Sequence, residues 1–461
     1  MTTQAGVNII GYLEAELGLG EIARKLVLAS ERAGVPTTTL TYRVLESRQE
    51  HRFEERRQGD TLYDTNIICV NPPHLPGLRR DLGMGRFAGR YNIGVWFWEL
   101  ARFPEELHFA FDLVDEIWVA SEFTRKSLSA ETEKPVCIVP IPLEAPPTAQ
   151  LGREELGLPP GFLYFFSFDH LSVTERKNPV GLVDAFKRAF SPGEGPTLLI
   201  RSINGARRQD ALKRLQRAAS ERPDIRVVDG YIFPAERDAV FAACDCYVSL
   251  HRSEGLGLTM AEAMAVGKPV IATEYSGNLT FMNERNSFLV RHGMTHTSEG
   301  CDPYPPGLEW ADPDLDHAAQ LMRRVYDRPD EARKVGERAR DDLRQQHTID
   351  RTGDFIRERV EGIPDYERFF LEVRGPLARA AEWAEAAPGK SLENSGQRSS
   401  PVRRLRLMLL RALWPELAAQ RGLDSALIES LRALERLSRS QRKRLDELER
   451  TVEELERLER S

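Results

Sequence analysis

Short apolar runs alternate with amphipathic stretches of helical period through most of the 461 residues, the pattern of parallel α/β units. Residues 8–12 predict a first strand, Gly18-Leu19-Gly20 a turn, and residues 21–33 the helix behind it. Further strands are predicted at 66–70, 91–98, 116–120 and 136–141. A Pro-rich break at 142–160 reads as an interdomain linker. A second series follows, with strands at 163–168, 197–202, 225–228, 246–251 and 269–273. Because the break splits the series, two successive open-sheet domains fit better than one closed barrel. The expected division is 1–145, 146–350, and closing helices at 351–385.

After residue 385 the pattern changes. Residues 386–400 are rich in Pro, Gly, Ser and polar residues, as a flexible tether would be. Residues 402–414 hold Arg403, Arg404, Arg406 and Arg411 among leucines, with no acid and a closing Trp414. This composition suits either a peripheral contact with anionic lipid or a helix packed on the body. Farther on, Leu427, Leu431, Leu434, Leu445, Leu448, Val452 and Leu455 keep one heptad seam, with Ser438 and Gln441 as its polar layer. The tail 401–461 is therefore expected to form a basic amphipathic helix and a coiled coil that makes a homo-oligomer.

Hydrophobic residues make up 41% of the chain and charged residues 29%, which allows a large core. Lys and Arg number 64 against 71 Asp and Glu, so bulk charge gives no support to nucleic-acid binding. The five cysteines are scattered, without zinc spacing or a disulfide framework. Residues 1–7 lack the basic and apolar regions of a leader, and no run reaches about 18 apolar residues. A cytoplasmic protein is expected, with any membrane contact peripheral.

The chemistry concentrates in residues 251–271, which read as strand, glycine-bearing loop, helix, glycine stop and strand. Glycines at a helix entrance let a ligand approach the backbone and leave N–H groups facing outward. With the helix dipole, those donors make an anion site suited to a diphosphate. Glu254 in the loop and Glu262 in the helix bracket it, and a carboxylate can accept two hydrogen bonds from a vicinal diol. By itself each glutamate could equally serve the dipole. A second constellation, residues 168–179, follows the first strand of the second series and places Arg176 and Lys177 at its carboxyl end. Cations there neutralise phosphate without a metal.

The 251–271 string resembles the E-x7-E signature of retaining GT-B glycosyltransferases, specifically glycosyltransferase family 4 (glycosyl transferases group 1). The resemblance runs over about residues 8–380. It implies two Rossmann-like domains facing a cleft, a nucleotide-diphosphate sugar as donor, and no cofactor or metal. It implies that Glu262 holds the ribose and Glu254 contacts the donor sugar. The amides around Gly257, Leu258 and Thr259 would grip the diphosphate together with Lys177 and Arg176. Leu171 stands where many members carry an arginine.

Tyr231 and Ile232 fall where the family forms its nucleobase pocket, and Gly18 and Gly20 where it has a glycine loop facing the cleft. Glu99, in an aromatic stretch with Trp96, Phe97 and Trp98, takes the place of a His-Asp pair and is the candidate contact for an acceptor hydroxyl. The catalytic candidates are thus Glu254, Lys177 and Glu99. The acceptor is expected to be a glycan or a lipid-linked acceptor. Two other readings remain: a GT-B epimerase or hydrolase of nucleotide sugars, and a degenerate scaffold that recruits a partner. A hydride-transferring Rossmann enzyme fits less well, since the first loop lacks a full G-x-G-x-x-G.

Overall fold

The computed structural model of the chain describes residues 6–45, 47–56, 62–145 and 151–363. Its first series forms a six-stranded parallel sheet from β1 (Val7–Gly11), β2 (Thr37–Thr41), β3 (Thr65–Cys69), β4 (Tyr91–Val95), β5 (Glu116–Val119) and β6 (Val136–Ile138), in the order β2-β1-β3-β4-β5-β6. The second forms another from β7 (Leu163–Asp169), β8 (Thr197–Ile203), β9 (Ile225–Asp229), β10 (Cys246–Ser249), β11 (Val270–Thr273) and β12 (Phe288–Val290), in the order β12-β11-β10-β7-β8-β9. The runs of Ile, Val and Phe at β1, β4 and β7 are buried on both faces, as strands covered by helices must be.

In each sheet the strand order reverses at one place, between β1 and β3 and between β7 and β10. A ligand crevice in an open α/β sheet opens at such a switch point, beyond the carboxyl ends of the strands. The segment carrying Lys177 leaves the end of β7, and the loop carrying Glu254 leaves the end of β10. The topology thus delivers both sequence constellations to one crevice.

Two further pieces join the domains. The last described helix, Ile349–Glu361, packs on the Gly18–Arg32 helix of the first domain. A Cβ at Gly353 would sit 2.5 Å from the Ala29 carbonyl oxygen, so only glycine allows this approach. Arg359 forks onto Glu116 at 2.6 and 2.8 Å. Glu116 is fully buried and also accepts from Tyr91 and Trp118. The second piece is an antiparallel hairpin of β13 (His292–His296) and β14 (Glu309–Pro313). Its loop plants Cys301 and Tyr304 in the aromatic cluster of the first domain, beside Trp96, Trp98 and Phe103.

The predicted strand at 91–98 stops at Val95, and residues 96–104 run on without regular structure. The first helix starts at Gly18 rather than residue 21. All five cysteines are free thiols. Among the described residues no helix is long and apolar enough to cross a membrane. The tether, the basic segment and the heptad seam predicted for 386–461 lie outside the described residues.

Candidate active site

The loop after β10 is fixed from below. His251 is fully buried, its Nδ1 paired with Ser249 and its Nε2 3.2 Å from both the Tyr275 carbonyl and Asn278 Oδ1. The Glu254 amide donates to Ser276 Oγ at 2.8 Å, and Gly277 N–H donates to the Glu254 carbonyl at 2.8 Å. Gly257 then takes φ +92, a left-handed conformation that glycine adopts without penalty. It starts the Leu258–Ala265 helix, whose first turn has no side-chain cap. The amides of Leu258 and Thr259 lie in that turn, where a helix dipole favours an anion.

The loop after β7 is tied to this one. Asn178, at φ +52, caps the Pro179–Ala189 helix and donates to the Leu250 carbonyl at 2.9 Å. Arg252 N–H donates to the Arg176 carbonyl at 2.7 Å. Arg176 is buried under the loop, bonding the Ser253 and Ser172 carbonyls at 2.7 and 3.2 Å. Its guanidinium also lies 3.2 Å from Glu254 Oε2, while Lys177 Nζ pairs with Glu254 Oε1. Burial alone would raise the Glu254 carboxyl, but Lys177 and Arg176 outweigh it and hold it at about 2. Burial pushes the Lys177 ammonium down, and Glu254 works against that push. The centre of the crevice is a buried carboxylate between two cations.

Glu262 lies one helical turn farther along, 3.6 Å from Arg237, which also pairs with Asp238 at 2.9 Å. Burial raises its carboxyl above the ordinary range, with Arg237 opposing. The fields of Lys25 and Glu21 from the first domain also reach it. A Cβ on Gly18 would stand 3.3 Å from Leu258 Cδ1, so the first turns of the two domains' helices face each other closely. Gly20 lacks room for any side chain, with the Tyr12 and Ala15 carbonyl oxygens 2.6 Å from where a Cβ would be.

Just beyond the end of β9, Tyr231 donates to Asn204 Oδ1 at 3.0 Å, and the Arg48 guanidinium lies 4.3 Å above its ring. Arg48 belongs to the first domain and bonds Glu16 at 2.8 Å. Ile232 is half-buried, and Phe233 beside it is 74% exposed. Glu99 reaches the loop of residues 253–255 from the first domain. Its backbone carbonyl accepts from Ser253 Oγ, and its Oε2 accepts from Tyr304 at 2.7 Å. Among the described residues no group of three or more His, Cys, Asp or Glu side chains stands where it could hold a metal ion.

This arrangement can be set beside known proteins. Sucrose-phosphate synthase from Thermosynechococcus elongatus superposes at a TM-score of 0.55 with 17% identity, over 77% of this chain and 98% of that one. HepE from Anabaena, in complex with UDP and glucose, superposes at 0.55 with 14% identity, over 78% of this chain and 100% of that one. A glycosyltransferase from Rickettsia africae ESF-5 gives 0.53 with 12% identity, over 79% and 100%. The fold is GT-B. Residues 167–297 match the family described as Glycosyl transferases group 1, a stretch that includes both Lys177 and the Glu254–Glu262 string. That match supports a glycosyltransferase. No curated protein matches the chain by sequence.

In the GT-B cleft the predicted residues fall into three places. Glu254, Lys177 and Arg176 touch one another, Gly255 to Thr259 run directly on from them, and Glu99 faces the same loop. Glu262 stands along the helix with Gly18 across from its start, and Tyr231 and Ile232 lie in the loop that leads into the helix of Arg237, the partner of Glu262. Arg176 serves chiefly as a brace, since three of its contacts are to the loops themselves. Sequence reading missed Arg48, Arg237 and Tyr304. Arg237 is the only one with a local signal, a cation in the first turns of the helix after the Tyr231 loop.

Proposed function

We propose that the chain is a retaining glycosyltransferase of glycosyltransferase family 4 type, moving a sugar from a nucleoside-diphosphate sugar to a hydroxyl of a glycan acceptor. The observation that carries this reading is the buried Lys177–Glu254 pair at the start of the Leu258–Ala265 helix. Charge develops on a leaving diphosphate, and a fixed ammonium and helix-end amides stabilise it without reorganising. Glu254, kept ionised, would accept hydroxyls of the donor sugar once Lys177 turns to the phosphate. Glu262 would take the ribose diol, and Tyr231 with Ile232 would flank the base. The incoming hydroxyl would lose its proton to the departing diphosphate on the same face of the sugar, with Glu99 orienting it. Cell-surface polysaccharide synthesis is the setting that suits such a transferase. UDP-glucose is the first donor to try, because HepE is described in complex with it.

UDP-, GDP-, ADP- and dTDP-sugars, screened by thermal shift and by sugar release, test the proposal. One of them is expected to stabilise the chain by about 2.7 kcal/mol when present at a hundred times its Kd. Glu262→Ala is expected to fold normally and lose that shift, because the carboxylate that accepts the ribose hydroxyls is gone. The anomeric configuration of the product, followed by proton NMR, tests retention. If no nucleotide sugar stabilises the chain, the proposal fails and the degenerate scaffold takes its place.

A further inference from the structure

We propose that Tyr304, carried across the cleft on the hairpin loop, is the positioning residue for Glu99, an inference that rests on the transferase reading above. Glu99 sits in the irregular stretch after β4, where no strand or helix fixes its side chain. Its oxygens are not equivalent. Oε2 accepts the Tyr304 hydroxyl at 2.7 Å, whereas Oε1 lies 3.6 Å from where a Cβ on Gly255 would be. The held oxygen turns the other toward the loop between Glu254 and Gly257. Gly255 admits this approach, because a Cβ there would also come within 3.3 Å of the Phe97 ring.

The loop is built to hold its tyrosine still. Thr297 Oγ1 donates to the Pro305 carbonyl at 2.6 Å and accepts from Leu308 N–H at 2.9 Å. Gly307 N–H closes onto the Thr297 carbonyl at 2.9 Å. Tyr304 is 6% exposed and meets Trp98 edge-on, with ring centroids 5.4 Å apart. Burial pushes its phenol well up, so the hydroxyl keeps its proton and acts as a donor. Trp98 is the neighbour of Glu99 in sequence, so one tyrosine meets both side chains, while Ser253 Oγ holds the Glu99 carbonyl. The field of Glu99 also reaches Arg176 beneath the donor loop, so the held carboxylate lies close to the cations of the second domain.

Tyr304→Phe removes the hydroxyl and keeps the ring. The measurement is sugar release to water from whichever of UDP-, GDP-, ADP- and dTDP-glucose stabilises the wild-type chain. The expected result is a kcat lower by up to about a hundredfold, the scale of a misplaced catalytic group, with the donor KM unchanged. Glu99→Ala should give the same loss, and the double variant should lose no more. An unchanged kcat, or a fall in kcat with a parallel rise in KM, overturns the proposal. A wild-type chain that neither binds nor cleaves any of the four rejects the transferase reading instead. The contact itself is then read by urea unfolding of the two single variants and the double. Non-additive losses support the Tyr304–Glu99 contact, and strictly additive losses overturn it.

Discussion

Glu254 is costly to bury, and burial raises its carboxyl; the two cations beside it hold it ionised. Lys177 is the one of these that can turn away, because Arg176 is committed to the Ser172 and Ser253 carbonyls. Lys177→Ala should therefore leave the fold in place, with Arg176 still pairing the carboxylate. It should weaken nucleoside-diphosphate binding and slow transfer, by about 1.5–3 kcal/mol for a lost charge-assisted contact. Calorimetric titration with the nucleoside diphosphate and a turnover assay read the two effects, and undiminished turnover would assign the leaving-group contact to another cation. The candidates Glu254, Glu262 and Lys177 were legible in the chain because their spacing is local to one helix or one turn. Tyr304 and Arg48 were not, since their partners lie 205 and 183 residues away in sequence. A contact between domains leaves no periodic trace in either segment.

The elements show the same division between local pattern and distant contact. Apolar runs announced β1, β7 and β10, but β2 is Thr-Thr-Thr-Leu-Thr and carries no apolar run, although β-branched residues suit a strand. The hairpin strands are largely polar and more exposed, so neither burial nor alternation marked them. Gly277 shows what the loop packing demands. A Cβ there would fall 2.2 Å from the Gly255 carbonyl oxygen and 2.6 Å from that of Glu254. Gly277→Ala must push the donor loop away from its support. A destabilisation of about 1–3 kcal/mol is expected from overpacking, together with loss of donor binding. Urea unfolding and a donor titration measure both, and a variant with normal affinity would show that the loop tolerates displacement.

For the whole molecule, the two sheets could be read from the chain, but not the returns that join the domains. The Ile349–Glu361 helix and the hairpin loop both depend on pairing residues far apart. Stability should report the buried histidines within this assembly. Burial pushes His170, His251 and His347 below the ordinary value of 6.5. The folded chain favours their neutral rings, so their contribution is full above pH 6.5 and is lost as pH falls toward the depressed folded values. Calorimetry should show Tm falling from pH 7 to pH 5, and a flat Tm would count against these burials. Assembly is the last property at this scale, and it rests on sequence alone, in residues outside those described. Leu427, Leu431, Leu434, Leu445, Leu448, Val452 and Leu455 would leave an apolar seam in water on a lone helix, and self-association buries it. Ser438 and Gln441 weaken the seam locally and can fix its register at a cost in affinity. The tether composition before it and the dense Glu and Arg beside it favour a projecting tail over one folded back on the catalytic domains. Light scattering should therefore give a dimer or trimer for the full chain and a monomer for a chain ending at Glu385. A full-length monomer at micromolar concentration rejects the seam as an interface, and an unchanged oligomer after truncation places the interface in the two domains.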